Sequence, residues 1–406
     1  MKFTKPKKVV GLDVGSHAVK AVQMSQSGGK LCIDDIGYSL VDTRQSNVDP
    51  IAAQATALRE ALQNLSVNQS MMVGALPGQT VVIRYPRLRN VDAANIDKAI
   101  EEEARQNIPY DLYEVSLDWS LLDEEKDGDE NLLKVLLVAA KDEVIDTRVQ
   151  IADAAGINFN CLSVDSLALA DAVEGCKLLS ADESVALINI GAGSVSIHFM
   201  KDGSSNFIRD ISWGAKEMIN AIAKSRRCDF EEAEAILFNY DAEMARAAQS
   251  VEATPVIEPS APPALSGEEG SSELEELGGD LDELDTEPDG VQEAQLDPIQ
   301  DIETLDEVLA NPVSKLVSEV RRSFDYYEHQ LYERPVERII LSGGVAHLPP
   351  IKSALSNDLG VESIEVADPC SAGLRTKNLS KVPEFEEHPA QFMVAIGLAA
   401  RGAAEL

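Results

Sequence analysis

VVGLDVGSHAVKAVQMS (residues 9–25) and VALINIGAGSVSIHFMKDG (residues 185–203) decide how this 406-residue chain is read. Each opens as an apolar, strand-forming run, ends in small residues, turns, and returns as a second apolar run. A third strand follows in both places, LCIDDIGYSL at 31–40 and SNFIRDISWG at 205–214. The repeated order of strand, turn, strand, turn, strand predicts a duplicated supersecondary unit, and therefore two related lobes.

The turns Asp13-Val14-Gly15-Ser16 and Asn189-Ile190-Gly191-Ala192-Gly193-Ser194 carry the chemistry. They lack both the phosphate-loop pattern GxxxxGK[ST] and the dinucleotide pattern GxGxxG. Unpaired backbone N–H groups in tight turns nevertheless form concavities for anions, so two facing hairpins can clamp a polyphosphate between lobes. Gly15, Gly191 and Gly193 leave room for that approach, and Ser16 and Ser194 keep the side chains small. Asp13 is placed to hold magnesium through water, since that ion keeps several waters when bound. Lys20, on the next strand, can reach a phosphate. VERIILSGG at 336–344 is a buried-type strand whose closing Gly343 and Gly344 complete the candidate set.

Between the two clusters, apolar spacing predicts a helix over Pro50–Leu65, strands at 71–76 and 81–88, and a helix from Asp92, as N-cap, to Ile108, stopped by Pro109. VSLDWSLLD and LLKVLLVAA are two strands around a charged turn. A helix from Lys141 or Asp142 ends at Gly156, INFNCLSVD is a strand, and Ser166–Val173 is a helix. An amphipathic helix over Pro312–Tyr332 and a last one over Ala390–Arg401 close the chain. The domain reading places 1–80 and 156–184 in a first, RNase H-like lobe and 81–155 in an inserted small α/β subdomain. Residues 185–242 and 307–406 form the second lobe and the return to the first, and 243–306 an acidic disordered insertion.

That insertion dominates the electrostatics. The formal charge is -35, and between Asp241 and Gln300 the only basic residue is Arg246; roughly half of the net charge sits there. Six prolines and no sustained apolar period predict disorder. Such a charge repels phosphate backbones and argues against nucleic acid as a partner. The five cysteines show no metal-ligand spacing and read as free thiols in a reducing cytosol. The apolar run before Asp13 is too short for a secretory signal, and no window reaches the roughly 20 apolar residues of a membrane span. A cytoplasmic protein that meets the membrane only through partners is expected.

The order of DxG hairpin, GxGS hairpin and SGG strand end resembles the actin/Hsp70/hexokinase superfamily, whose two-lobed ATPase fold uses these elements for phosphate, phosphate and adenosine. A narrower likeness lies in AIEEEARQNIPYDLYEVSLDW at 99–119, GLDVGSHAVKAVQM at 11–24, AGINFNCLSVDSLALADA and RRSFDYYEHQ at 321–330. These resemble the PilM-type type IV pilus assembly proteins, relatives of the cell-division protein FtsA. The resemblance implies Mg·ATP in the interlobe cleft, with Glu217 as a ribose contact. It also implies that the cytoplasmic N-terminal tail of a PilN-like inner-membrane protein sits in a groove beside the subdomain, bordered by Ile108, Pro109 and Tyr110. Other pilus motor components are further partners it suggests. Asn189 stands where the superfamily usually has an aspartate, and an amide cannot act as a general base, so turnover is expected to be slow or absent. Leu237 stands where a lysine near the base is usual.

Two other readings compete. A sugar kinase or true ATPase of the same fold needs a carboxylate at the acceptor; Asp118 lies in the wrong subdomain, and no other assignment follows from sequence. An FtsA-like filament protein ends in a basic amphipathic membrane helix, whereas this sequence ends in GLAARGAAEL. The five histidines are scattered, and no G-x-S-x-G elbow supports a serine hydrolase.

Overall fold

A computed structural model describes residues 8–27, 30–92, 95–127, 130–245, 303–371, 374–376 and 382–406. The segment 246–302, most of the acidic insertion, lies outside them. Two sheets share one plan. In the first, β1 (Lys8–Val14), β2 (Ala18–Ser27) and β3 (Lys30–Leu40) form an antiparallel meander. β4 (Ser70–Leu76) and β9 (Cys161–Val164) extend it in parallel beyond β1, and β15 (Arg375–Thr376) borders β3. In the second, β10 (Ser184–Ile190), β11 (Val195–Lys201) and β12 (Ser204–Ile211) form the meander, and β13 (Arg338–Gly343) and β14 (Ser363–Val366) lie parallel beyond β10. The orders β3-β2-β1-β4-β9 and β12-β11-β10-β13-β14 are the duplication that the two sequence clusters predict.

The subdomain sheet is built on β8 (Glu130–Lys141). β7 (Val115–Asp127) pairs along one edge, while the short β5 (Val81–Arg84) and β6 (Arg87–Arg89) share the other, split at Tyr85-Pro86. The proline has no N–H for the ladder, so the strand expected over 81–88 is broken there. Helix Ile96–Asn107 covers the sheet through Ile100 and Ala104, in a core with Leu88, Leu133, Val135 and Leu137. The following helix, Asp142–Ala155, leans on the first lobe instead and buries Ile151 in its core against Leu58 and Leu62.

Helices Asp165–Gly175 and Met393–Ala404 carry the chain between the two sheets, and their buried faces join Val9, Val22 and Val73 of one sheet to Val185, Leu187 and Ile340 of the other. They cross so closely that a Cβ on Gly397 would stand 1.7 Å from the Ala168 carbonyl oxygen, which explains a glycine on the buried face of this helix. A directed hydrogen-bond chain ties the same region to the subdomain. A ring nitrogen of buried His198, Nδ1, lies 3.0 Å from the Ser166 carbonyl; Nε2 lies 2.8 Å from Ser205 Oγ; and Ser205 Oγ lies 2.7 Å from Tyr85 Oη. A carbonyl only accepts, so Nδ1 carries the proton, Ser205 donates to Nε2, and Tyr85 donates to Ser205. Burial holds His198 down to about 4, keeping it neutral as this chain requires.

Several boundaries differ from the sequence expectation: the helix expected over Pro50–Leu65 ends at Leu62, and the last helix is Met393–Ala404. The long second-lobe helix runs over Leu305–Asp325, with a capping box between Thr304 and Glu307, and continues as a π-helical turn, Tyr326–Gln330. It therefore begins inside the stretch assigned to the insertion. Pro312 lies within it, where burial of Leu309, Val313, Leu316, Val320 and Phe324 along one face outweighs the hydrogen bond forfeited. The subdomain helix begins at Ile96, not at Asp92, whose carbonyl closes a preceding turn with the Asn95 N–H at 2.8 Å. Only Cys161–Val164 of INFNCLSVD pairs as a strand.

Candidate functional site

The two duplicated hairpins face each other across one cleft. Their turns have the same length and the same closure: Gly15 N–H donates to the Ala18 carbonyl at 3.1 Å, and Gly191 N–H to the Ser194 carbonyl at 2.9 Å. In both, two carbonyls at the start of the turn are tied back into the protein. In the first lobe the Val14 carbonyl accepts from an Arg148 guanidinium N–H at 2.9 Å and the Gly15 carbonyl from Gln54 Nε2 at 3.0 Å. In the second lobe the Gly191 and Ala192 carbonyls accept from the Ala215 and Lys216 N–H groups, at 2.9 and 3.0 Å, where helix Ala215–Arg226 begins. The backbone N–H groups of Ser16, His17, Ala192 and Gly193 have no acceptor among the described residues. With these four carbonyls withdrawn and four amides free, each turn presents positive partial charge to the space between the lobes.

That space is a cavity of about 260 Å³. Asp13, Gly15, Ser16, Lys20, Asn189, Gly191, Gly193, Ser194, Gly343 and Gly344 all line it. Glu217 does not; it is exposed on helix Ala215–Arg226, and its neighbour Lys216 lines the cleft instead. Lys20 Nζ lies 3.3 Å from Asp13 Oδ2. Asn189 Oδ1 accepts from Ser342 Oγ at 3.2 Å, linking the second hairpin to the SGG strand end. Gly343 sits at φ +99°, and a Cβ there would stand 2.1 Å from the Ile190 carbonyl oxygen, so both conformation and space demand glycine.

The cleft has an apolar end and an acidic end. Ile219, Phe230, Phe238 and Val345 of the second lobe line the former, while Leu237 is buried in the lobe core. Across this end His17 Nε2 reaches Glu234 Oε1 at 3.1 Å, joining the two lobes. Burial, then Lys20 and Lys216, push His17 down to about 4, and burial raises Glu234, so the contact is a hydrogen bond more than an ion pair at neutral pH.

At the opposite end lies a residue that sequence reasoning missed. Asp165, the first residue of its helix, accepts from the Gly78 and Ser166 N–H groups at 2.8 and 2.6 Å, both through Oδ1. Burial and the Asp210 carboxylate raise it to about 7. A Cβ on Gly78 would come within 2.7 to 2.9 Å of carboxylate oxygens of both aspartates, which shows how closely that glycine is held between them. Asp210 also accepts from Ser196 Oγ, at 2.5 Å. In sequence Asp165 reads as an ordinary first-turn acid; only the separation of Gly78, Asp165 and Asp210 along the chain, closed by the fold, sets its character. A carboxyl poised near neutrality inside a cleft has the protonation behaviour of a general base. Among the described residues no group of three or more His, Cys, Asp or Glu is placed to hold a metal.

The proposed peptide border is mixed. Ile108 is 6% exposed and packed in the subdomain core, whereas Pro109, Tyr110 and the nearby Tyr113 are exposed, with Lys141 Nζ 4.6 Å from the Tyr110 ring centroid. Among the described residues no helix is long and apolar enough to cross a membrane.

A family model described as type IV pilus assembly protein PilM matches residues 11–243 and 294–403. Among solved structures, a PilM-PilN type IV pilus biogenesis complex matches with a TM-score of 0.72 and 21% identity, over 98% of this chain and 99% of that one. The ethanolamine utilization protein EutJ from Carboxydothermus hydrogenoformans matches with a TM-score of 0.50 and 14% identity, over 98% and 90%. At these identities the likeness establishes the fold, the two-lobed actin-like plan expected from the duplicated hairpins.

Proposed function

Because this chain belongs to the PilM family of type IV pilus assembly proteins, we propose that it is a cytoplasmic, ATP-binding scaffold of a pilus inner-membrane complex. In this reading the interlobe cleft takes Mg·ATP, and the subdomain takes the cytoplasmic tail of a PilN-like membrane protein. The observation that carries it is the pair of facing turns whose N–H groups at Ser16, His17, Ala192 and Gly193 find no acceptor among the described residues while the carbonyls of Val14, Gly15, Gly191 and Ala192 are tied back. A triphosphate supplies the acceptors that this arrangement calls for. Asp13 would hold magnesium through water, and Lys20 would turn from Asp13 to the phosphates. The apolar end, with Phe230 and Phe238, suits an adenine ring.

Calorimetric titration of Mg·ATP, together with the nucleotide content of the purified protein, tests the reading. Gly15→Val is the control, because even a Cβ there stands 2.8 Å from the Ala18 carbonyl oxygen and the larger side chain crowds the phosphate turn. Binding lost in the variant supports the cleft, and absence of binding by the wild type removes it. Tail capture is tested separately, with peptides from PilN-like proteins in the presence and absence of ATP; equal affinity under both conditions would leave a scaffold without nucleotide control.

Asp165 favours a second reading, slow ATP hydrolysis. Its carboxyl, near neutrality and lining the cleft, is the group that Asn189 fails to provide. Phosphate release that disappears in Asp165→Asn, with ATP affinity retained, would establish it.

A further inference from the structure

Arg148 has a property that bracing the first hairpin does not account for. It is 9% exposed, lines the cleft, and makes one hydrogen bond, to the Val14 carbonyl. A guanidinium has five N–H donors, and among the described residues no other acceptor meets them. None of the nitrogens left without an acceptor is fully cut off from solvent, so they open on the cleft, where a bound anion can take the place of water around a cation that is otherwise nearly buried. The nearby carboxylates of Asp13 and Asp165 favour its charge, but Asp13 is already engaged by Lys20, and Asp165 spends Oδ1 on two backbone N–H groups.

Its place in the cleft fixes which part of a ligand it would meet. The His17 side of the hairpin faces Glu234 and the apolar end, where a base would lie. The Val14 side, with Arg148, Asp13 and Asp165, is the far end. A nucleotide whose inner phosphates sit between the hairpins therefore directs its outermost phosphate toward Arg148. Arg148 also stands on helix Asp142–Ala155, which follows strand β8 of the subdomain without an intervening residue.

Resting on the nucleotide reading above, we propose that Arg148 is the terminal-phosphate reader of this cleft: it distinguishes nucleoside triphosphate from diphosphate and passes that distinction to the subdomain through its helix. The planar fork meets two phosphate oxygens at once, a geometry that lysine cannot reproduce. With a diphosphate bound, the fork finds no anion and keeps only its carbonyl.

The test compares Mg·ATP and Mg·ADP affinities by calorimetry for the full chain, Arg148→Gln and Arg148→Lys. The expected result is a loss of roughly 10- to 100-fold in ATP affinity for Arg148→Gln, with ADP changed by less than about threefold. Arg148→Lys, which keeps the charge and can still reach Val14, falls between and serves if the glutamine variant does not fold. In hydrogen exchange, ATP but not ADP should protect strands β7 and β8 in the wild type, and the difference should vanish in Arg148→Gln and shrink in Arg148→Lys. Equal losses for both nucleotides, or no loss for either, overturn the proposal and leave Arg148 a brace for the hairpin. A wild type that binds neither nucleotide overturns the cleft reading itself, a distinct result.

Discussion

Replacing Asp165 by asparagine should make the ligand-free protein more stable at alkaline pH, contrary to the usual effect of altering a residue in a binding cleft. The folded protein raises this carboxyl from 3.8 to about 7, through burial first and the Asp210 carboxylate second. The folded state thus binds its proton more tightly than the unfolded chain does. Between those two values the folded state holds more protons, so this group's contribution to stability is fully present below pH 3.8, falls as pH rises, and is gone above about 7. At about 1.4 kcal/mol per pH unit, the ionised carboxylate costs up to ~4 kcal/mol by about pH 8. Asparagine carries no charge to bury. Both N–H groups that Asp165 accepts bond to Oδ1, and the amide oxygen can keep them. Urea unfolding of both proteins from about pH 5 to 8.5 reads the effect. Asp165→Asn should gain as pH rises and approach the wild type toward acid, flattening the profile between. Parallel profiles would refute the reasoning, because they would mean that the carboxylate is solvated and ionises as it does in the unfolded chain.

Gly343→Ala should destabilise the second lobe by at least about 1–2 kcal/mol for its left-handed backbone alone, with more from the 2.1 Å approach to Ile190; thermal melting measures it, and nucleotide binding should fall with it. Asn189→Asp keeps an acceptor for Ser342 Oγ and restores a carboxylate to the second hairpin, so it should tighten the magnesium dependence of ATP binding, read by titration at varied Mg²⁺. Ile108→Ala should cost about 2–5 kcal/mol as a buried truncation, whereas Tyr110→Ala should cost no more than about 1 kcal/mol, the worth of its contact with Lys141; chemical denaturation separates them, and only the Tyr110 variant should weaken tail capture without weakening the fold.

The duplicated hairpins were legible because their signals are local. Alternating apolar strands, and glycines where a ligand must come close, are encoded within a few residues, and the two copies reinforce each other. Helix ends were less so. Thr304 and Glu307 form a capping box at the edge of an acidic run, where an added threonine and glutamate draw no attention, and Pro312 invites a helix start it does not make. The cleft's inner end was hidden for a different reason. Asp165 acquires its character from Gly78 and Asp210, and Arg148 from Val14, 134 positions away. In isolation one looks like a helix-start acid and the other like a surface arginine, because burial and distant partners, which tertiary structure alone supplies, decide what they do.

The chain from Tyr85 through Ser205 and His198 to Ser166 has a use at the bench. Because it terminates on a carbonyl, it admits one proton arrangement, so His198 is held as a single tautomer with its Nδ1 proton sealed between helix Asp165–Gly175 and the second sheet. That proton is a native clock. Its exchange with solvent reports each moment at which the helix and sheet separate, so that opening can be timed with no dye, tag or substitution near the cleft.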